Sequence, residues 1–118
     1  MSKRFEDLQV WQLAVDLAVK IYKSSKVFPA EEIYGLTSQL RRAVVSVSTN
    51  IAEGSGRSSK KEYRHFVEIA IGSINEVENL WIIAQKIGYL KEIDFKLIKN
   101  NIEEVHGLLN GFRRYLSK

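Results

Sequence analysis

The chain has 118 residues, 45% of them hydrophobic and 27% charged, with a formal net charge of +4 and no cysteine. That composition excludes wholesale disorder, disulfide staples, thiolate catalysis and cysteine-rich zinc sites, and it fits a reducing cytoplasm. No run reaches the roughly 18 apolar residues of a membrane helix, and Met1 to Asp7 lacks the apolar stretch of a signal peptide, so a single cytoplasmic domain over 1–118 is expected.

The helical period recurs along the chain, and no strand-like alternation persists. Pro29, the glycines at 54 and 56, and Gly88 divide it into four segments. The first helix is expected over about 7–26, with Asp7 as N-cap and Leu8, Trp11, Ala14, Val15, Ala18, Ile21, Tyr22 and Ser25 on its core face. Val27-Phe28-Pro29 breaks it, because a residue before proline avoids the α region.

The second helix is expected over 31–53, opened by Glu31 and Glu32, which complement the helix dipole. Ile33, Leu36, Leu40, Ala43, Val44, Val47 and Ile51 form its core stripe, and Gly54-Ser55-Gly56 ends it by offering a left-handed cap. Beside the core stripe runs a polar row of Gln39, Arg42, Ser46, Asn50 and Glu53. At about 100° per residue it spans an arc of roughly 80°. Such a row serves either as a seam that fixes helix register or subunit packing or as a binding surface for RNA or a partner protein, with Arg42 and Glu53 as opposite charges.

The third helix, 60–87, opens on the S-x-x-E capping box Ser59-Lys60-Lys61-Glu62 and closes at Gly88. Phe66, Ile69, Ala70, Ser73, Val77, Leu80, Ala84 and Ile87 form one stripe. Val67, Ile71, Ile74 and Trp81 form a second row about 90–100° away. So wide an apolar arc means that the helix is central to the bundle or that part of it faces another subunit, and of the two a subunit interface along the second row is expected. Gly72 beside Ser73 suggests another backbone passing close by. The fourth helix, 92–116, has the single stripe Phe95, Ile98, Ile102, Val105, Leu109, Phe112 and Leu116. Four amphipathic helices with short connections make an all-α, up-down-up-down antiparallel four-helix bundle.

Catalytic constellations are weak. Glu62-x-x-His65 and Glu103-x-x-His106 repeat the spacing of di-iron bundles. However, His65 falls roughly 90° and Glu103 roughly 140° off the core stripe of its helix. Two histidines among solvated neighbours make no Ser-His-Asp triad. Gly54-Ser55-Gly56-Arg57 follows a helix rather than a strand and lacks a phosphate-loop lysine. No metal, cofactor, small-molecule substrate or enzymatic activity is expected.

Charge is the remaining signal. Residues 1–29 hold 5 basic and 3 acidic groups and residues 89–118 hold 6 and 4, while the middle is balanced at 7 and 7. The excess is either a solubilising surface or a footprint for polyanions. Candidate nucleic-acid contacts are Lys3, Arg4, Arg41, Arg57, Lys60, Lys61, Arg113 and Arg114. No aromatic residues interleave with these basic stretches, so stacking of single-stranded bases is not expected.

One resemblance adds to this reading. Phe5-Glu6-Asp7-Leu8, Val10-Trp11, Ile21-Tyr22, Phe28-Pro29 and Tyr34-Gly35-Leu36 open the match. Gln39-Leu40-Arg41-Arg42-Ala43, Asn50-Ile51-Ala52-Glu53-Gly54, Gly56-Arg57 and Gly72-Ser73 extend it. In this order they resemble the four-helix-bundle proteins encoded in intervening sequences of 23S rRNA genes. The resemblance implies a ring-like homopentamer. The accessory proteins of diversity-generating retroelements look similar and imply a basic surface that binds nucleic acid and docks a reverse transcriptase. The expected role is thus an oligomeric, non-enzymatic scaffold for RNA or a ribonucleoprotein, and the alternative is a protein-interaction module that binds no nucleic acid.

Overall fold

The four amphipathic segments form α1 (Gln9–Ser24), α2 (Leu36–Ser55), α3 (Lys60–Ile87) and α4 (Glu92–Leu116), and short 3-10 turns at Phe5–Asp7, Ser25–Val27 and Ala30–Glu32 flank or join them. The structure is a computed structural model and describes residues 4–118. Each helix packs on two neighbours, α1 and α3 both against α2 and α4, in an antiparallel four-helix bundle measuring 46 × 25 × 20 Å. The long dimension is close to that of α3 itself, about 42 Å at 1.5 Å per residue. Among the described residues no helix is long and apolar enough to cross a membrane.

Helix ends follow local chemistry, with three departures from expectation. Asp7 lies in a 3-10 turn, and α1 starts after Leu8, which offers no side-chain cap. Glu31 and Glu32 also lie in a 3-10 turn, and α2 starts only after Gly35. There the Glu32 carboxylate accepts from the Leu36 N–H at 3.2 Å, supplying the cap the turn lacks. At the far end of α2, Gly56 is right-handed rather than left-handed, with φ −88°. The requirement for glycine falls instead on Gly54, where a Cβ would lie 2.7 Å from Tyr63 Cδ1 and 2.9 Å from Phe66 Cβ of α3. The capping box at Ser59 forms as expected, its hydroxyl accepting from the Glu62 N–H at 3.1 Å. Gly88 closes α3 at φ 103°, a left-handed conformation that costs other residues a clash at Cβ.

The core corrects two faces. On α1 the buried residues are Val10, Ala14, Leu17 and Ile21 with Ser25, whereas Val15 and Ala18 are half-buried and Tyr22 is exposed. This helix is apolar around more than one face, so periodicity alone does not select which stripe turns inward. On α3 the expected interface residues Val67, Ile74 and Trp81 are completely buried inside the chain, and Ile71 is half-buried. The buried seam Val67, Ala70, Ile74, Val77, Trp81 and Ala84 keeps alternating three-and-four spacing and lies between the two rows read from sequence. Facing α2 and α4 together widens the buried arc, and Ile69 and Ile87 are left exposed at its edge. Trp81 also ties α3 to α4, its indole N–H donating to the Phe95 carbonyl at 3.1 Å. Gly72 meets nothing within 4 Å of a Cβ position, so no neighbouring backbone in the chain explains it.

Candidate nucleic-acid interface

Antiparallel topology gathers four chain segments at one end of the bundle: the approach to α1, the α2–α3 connection, the first turns of α3 and the last turn of α4. These segments hold Arg4, Arg57, Lys60, Lys61, Arg64, Arg113 and Arg114. Residues from two helices, a loop and the segment before α1, scattered in sequence, thereby become one basic end.

Contacts bind that end together. Tyr63 of α3 meets Phe112 of α4 edge-on, with ring centroids 5.1 Å apart. Burial pushes the Tyr63 hydroxyl above its ordinary pKa, so it stays neutral. Lys60 places its ammonium 5.4 Å from the Tyr115 ring centroid, and Arg57 lies over Phe66 at 4.5 Å while pairing with Glu53 at 3.6 Å. A shallow groove beside the start of α3 is lined by Arg57, Lys61, Arg64 and His65, with Glu62 and Glu68 opposing them. The Glu62 carboxylate is already engaged by the Ser58 and Ser59 hydroxyls at 3.4 and 3.2 Å.

Lys60, Lys61, Arg64, Arg113 and Arg114 enter no ion pair among the described residues. Elsewhere Lys99 of α4 bridges Glu103 at 2.8 Å and Glu78 of α3 at 3.0 Å, and Lys96 pairs with Glu92, while Lys23, Lys26, Arg42, Lys86 and Lys91 also stand outside any ion pair among the described residues. Helix dipoles set the two basic pairs of this end apart. Arg113 and Arg114 in the last turn of α4 are stabilised by its negative end, which is sufficient structural reason for them. Lys60 and Lys61 occupy the positive end of a 28-residue helix, where a cation costs roughly 0.3–1 kcal/mol.

The other expected contacts divide. Arg4 lies at this end and pairs with Glu6 at 2.6 Å, while Lys3 lies outside the described residues. Arg41 does not join the cluster. It sits near the opposite end of α2, about 20 Å away at 1.5 Å per residue. There its Nε donates to Ser25 Oγ at 2.9 Å and its Nη2 to the Tyr22 carbonyl at 3.2 Å, closing the C-terminus of α1. Sequence reading missed Arg64 and Tyr115. The first was detectable one turn beyond Lys60 and Lys61, and the second in Phe112-Arg113-Arg114-Tyr115, which corrects the expectation that no aromatic residue interleaves with the basic ones.

The polar row on α2 splits as well. Ser46 and Ser73 hydroxyls join α2 to α3 at 2.8 Å, and Asn50 Nδ2 donates back to the Ser46 carbonyl at 2.8 Å and hydroxyl at 3.0 Å. That portion is an interhelical seam. Gln39 and Arg42 line a shallow groove with Glu76 of α3, while Glu53 pairs with Arg57 rather than Arg42. His65 is exposed and His106 half-buried, and among the described residues no group of three or more His, Asp or Glu could hold a metal ion.

A crystal structure from Bacteroides thetaiotaomicron, a protein of unknown function from the S23 ribosomal protein family, superposes with a TM-score of 0.79 at 22% identity, covering 88% of this chain and 97% of that one. At that identity the likeness establishes the fold alone. No curated protein matches the sequence. Residues 6–111 match the family described as 23S rRNA-intervening sequence protein. Because that match takes in all four helices up to the last turn of α4, the chain belongs to the 23S rRNA-intervening sequence protein family.

Proposed function

We propose that this protein is a non-enzymatic helical scaffold that binds RNA or a ribonucleoprotein through the basic end of its bundle. The observation that carries the reading is the grouping of Lys60, Lys61, Arg64, Arg113 and Arg114, outside any ion pair among the described residues, where α3 begins and α4 ends. Two lysines held against the α3 dipole are poor choices for stability and good ones for phosphate, since each neutralised phosphate releases counterions. The family description, which refers to 23S rRNA, agrees with such a ligand. The reading includes a cytoplasmic location, in keeping with a chain that has no cysteine.

A second reading, docking of protein, draws on a different surface. Two shallow grooves on α1 and α2 meet at Tyr22 and expose Val19, Ile33 and Val45. This face, and not the buried row of α3, is the one on which we place assembly into the homopentamer that the sequence resemblance implies. A reverse-transcriptase-type partner would dock along the Gln39–Arg42–Glu76 groove.

Binding of structured RNA and duplex DNA at low and physiological salt, with the mass in solution measured alongside, tests both readings. The scaffold predicts RNA affinity that falls steeply with salt, at about 0.7–0.9 in log–log slope per phosphate contact. Lys60→Glu with Lys61→Glu, or Arg113→Glu with Arg114→Glu, abolishes it. No binding even at low salt overturns the scaffold and leaves the protein-docking module.

A further inference from the structure

We infer that Tyr115 is a stacking platform for an unpaired base, so that the basic end recognises single-stranded RNA. The inference rests on the proposed RNA role and names the form of ligand that role would take. Tyr115 is 56% exposed although it lies in the last turn of a helix whose neighbouring Leu116 is buried. Its ring is supported rather than loose. Phe112 lies nearly parallel to it, at 25° and 6.3 Å, and is in turn held edge-on by Tyr63 across the α3–α4 contact. An aromatic face held in place by packed rings loses little freedom when a base settles on it.

Charge completes the arrangement. Lys60 hovers 5.4 Å from the ring centroid, a loose cation–π contact made by a flexible, exposed side chain. A base arriving over the ring displaces that ammonium, which stays within reach of the phosphate that follows. Arg113 and Arg114 adjoin Tyr115 in sequence and supply further cations. Aromatic face plus basic surroundings is the combination that binds single strands, whereas a base inside a duplex has both faces covered by its neighbours. Tyr34 provides the internal contrast. It is 96% exposed, yet it follows the carboxylates Glu31 and Glu32 closely, and among the described residues no cation lies over its ring.

Fluorescence anisotropy with a short unstructured oligouridylate and an RNA duplex of equal length tests the inference. Wild type is expected to prefer oligouridylate, and Tyr115→Ala to weaken that binding about tenfold while leaving duplex affinity and salt slope unchanged. Tyr115→Phe retains the affinity. Tyr115→Leu, which keeps apolar bulk against Phe112 without a π face, loses it, and Tyr34→Ala has no effect. Wild-type affinity for oligouridylate in folded Tyr115→Ala and Tyr115→Leu, or a preference for duplex, overturns the inference while the RNA-binding reading stands. Failure to bind either probe at low salt overturns both.

Discussion

The two ends of the bundle use the same residue types for opposite purposes. Where α1 meets α2 and α3 meets α4, Arg41 and Glu32 are consumed internally, although Lys26, Lys86 and Lys91 enter no ion pair among the described residues. Arg41 closes α1 through Ser25 and the Tyr22 carbonyl, and Glu32 accepts from both the Leu36 N–H and the Tyr89 hydroxyl, the latter at 2.8 Å. Phe28 packs between Trp81 and Tyr89, with centroids 6.5 and 5.5 Å away. Where α2 meets α3 and α4 ends, packing relies on Gly54 and the rings of Tyr63, Phe66 and Phe112, and apart from Arg4 and Arg57 the cations enter no ion pair among the described residues. An arginine count therefore says little about function until each guanidinium has been traced to its partners.

Substitutions can break that comparison. Trp81→Ala removes a fully buried ring, its contact with Phe28 and its bond to Phe95, and should cost about 3–5 kcal/mol in denaturant unfolding. A loss below about 1 kcal/mol would mean that the closed end does not anchor the bundle. Gly54→Ala forces a Cβ against Tyr63 and Phe66 and should destabilise by about 1–3 kcal/mol, showing whether close helix approach is as important at the basic end.

Arg41→Ala is expected to cost about 1 kcal/mol, because it removes two donors and leaves the Ser25 hydroxyl and the Tyr22 carbonyl only their own 3.3 Å bond, while nucleic-acid affinity stays unchanged. Equal loss of affinity would return Arg41 to the binding surface. Lys60→Gln with Lys61→Gln should do the reverse. Relieving the α3 dipole leaves stability unchanged or raises it by about 0.5 kcal/mol, while RNA binding weakens.

Alkaline titration gives the smallest and most specific readout. Its hydrogen bond to Glu32, reinforced by burial, raises the Tyr89 hydroxyl above its ordinary pKa, and bonds to Glu103 and Glu78 raise the Lys99 ammonium. Both groups hold their protons more tightly in the folded chain, so near and above pH of about 10 the native state binds more protons than the unfolded one. Stability is therefore complete below that range and declines as pH rises through it. Tyr89→Phe should remove part of the decline in a pH series of thermal unfolding.

Much of this architecture is legible in the chain order. The three-and-four spacing of α4 identified Ile98, Ile102, Val105, Leu109 and Leu116 as core, because that helix has only one apolar face. The capping box at Ser59 and the glycine at 88 were readable for the same reason: each end is decided by residues within one turn. The inward faces of α1 and α3 were not, since both helices carry apolar residues around too wide an arc for periodicity to choose among them. The site divides the same way. Lys60, Lys61, Arg113 and Arg114 stand out as adjacent pairs in the sequence, whereas Arg41 looks like one of them until its donors are found at the far end of α2.

By itself, then, the sequence determined the helical class, the four elements, most of their ends and the surplus of positive charge, all properties set by neighbours along the chain. Only the tertiary structure decided that Val67, Ile74 and Trp81 belong to the core and that the cations near the α2–α3 connection and the α4 terminus share one end. It also decided that Tyr115 is exposed among them over a backing of packed rings. Those outcomes depend on which helices lie side by side, and that is settled by burying four apolar faces against one another at once rather than by any single face.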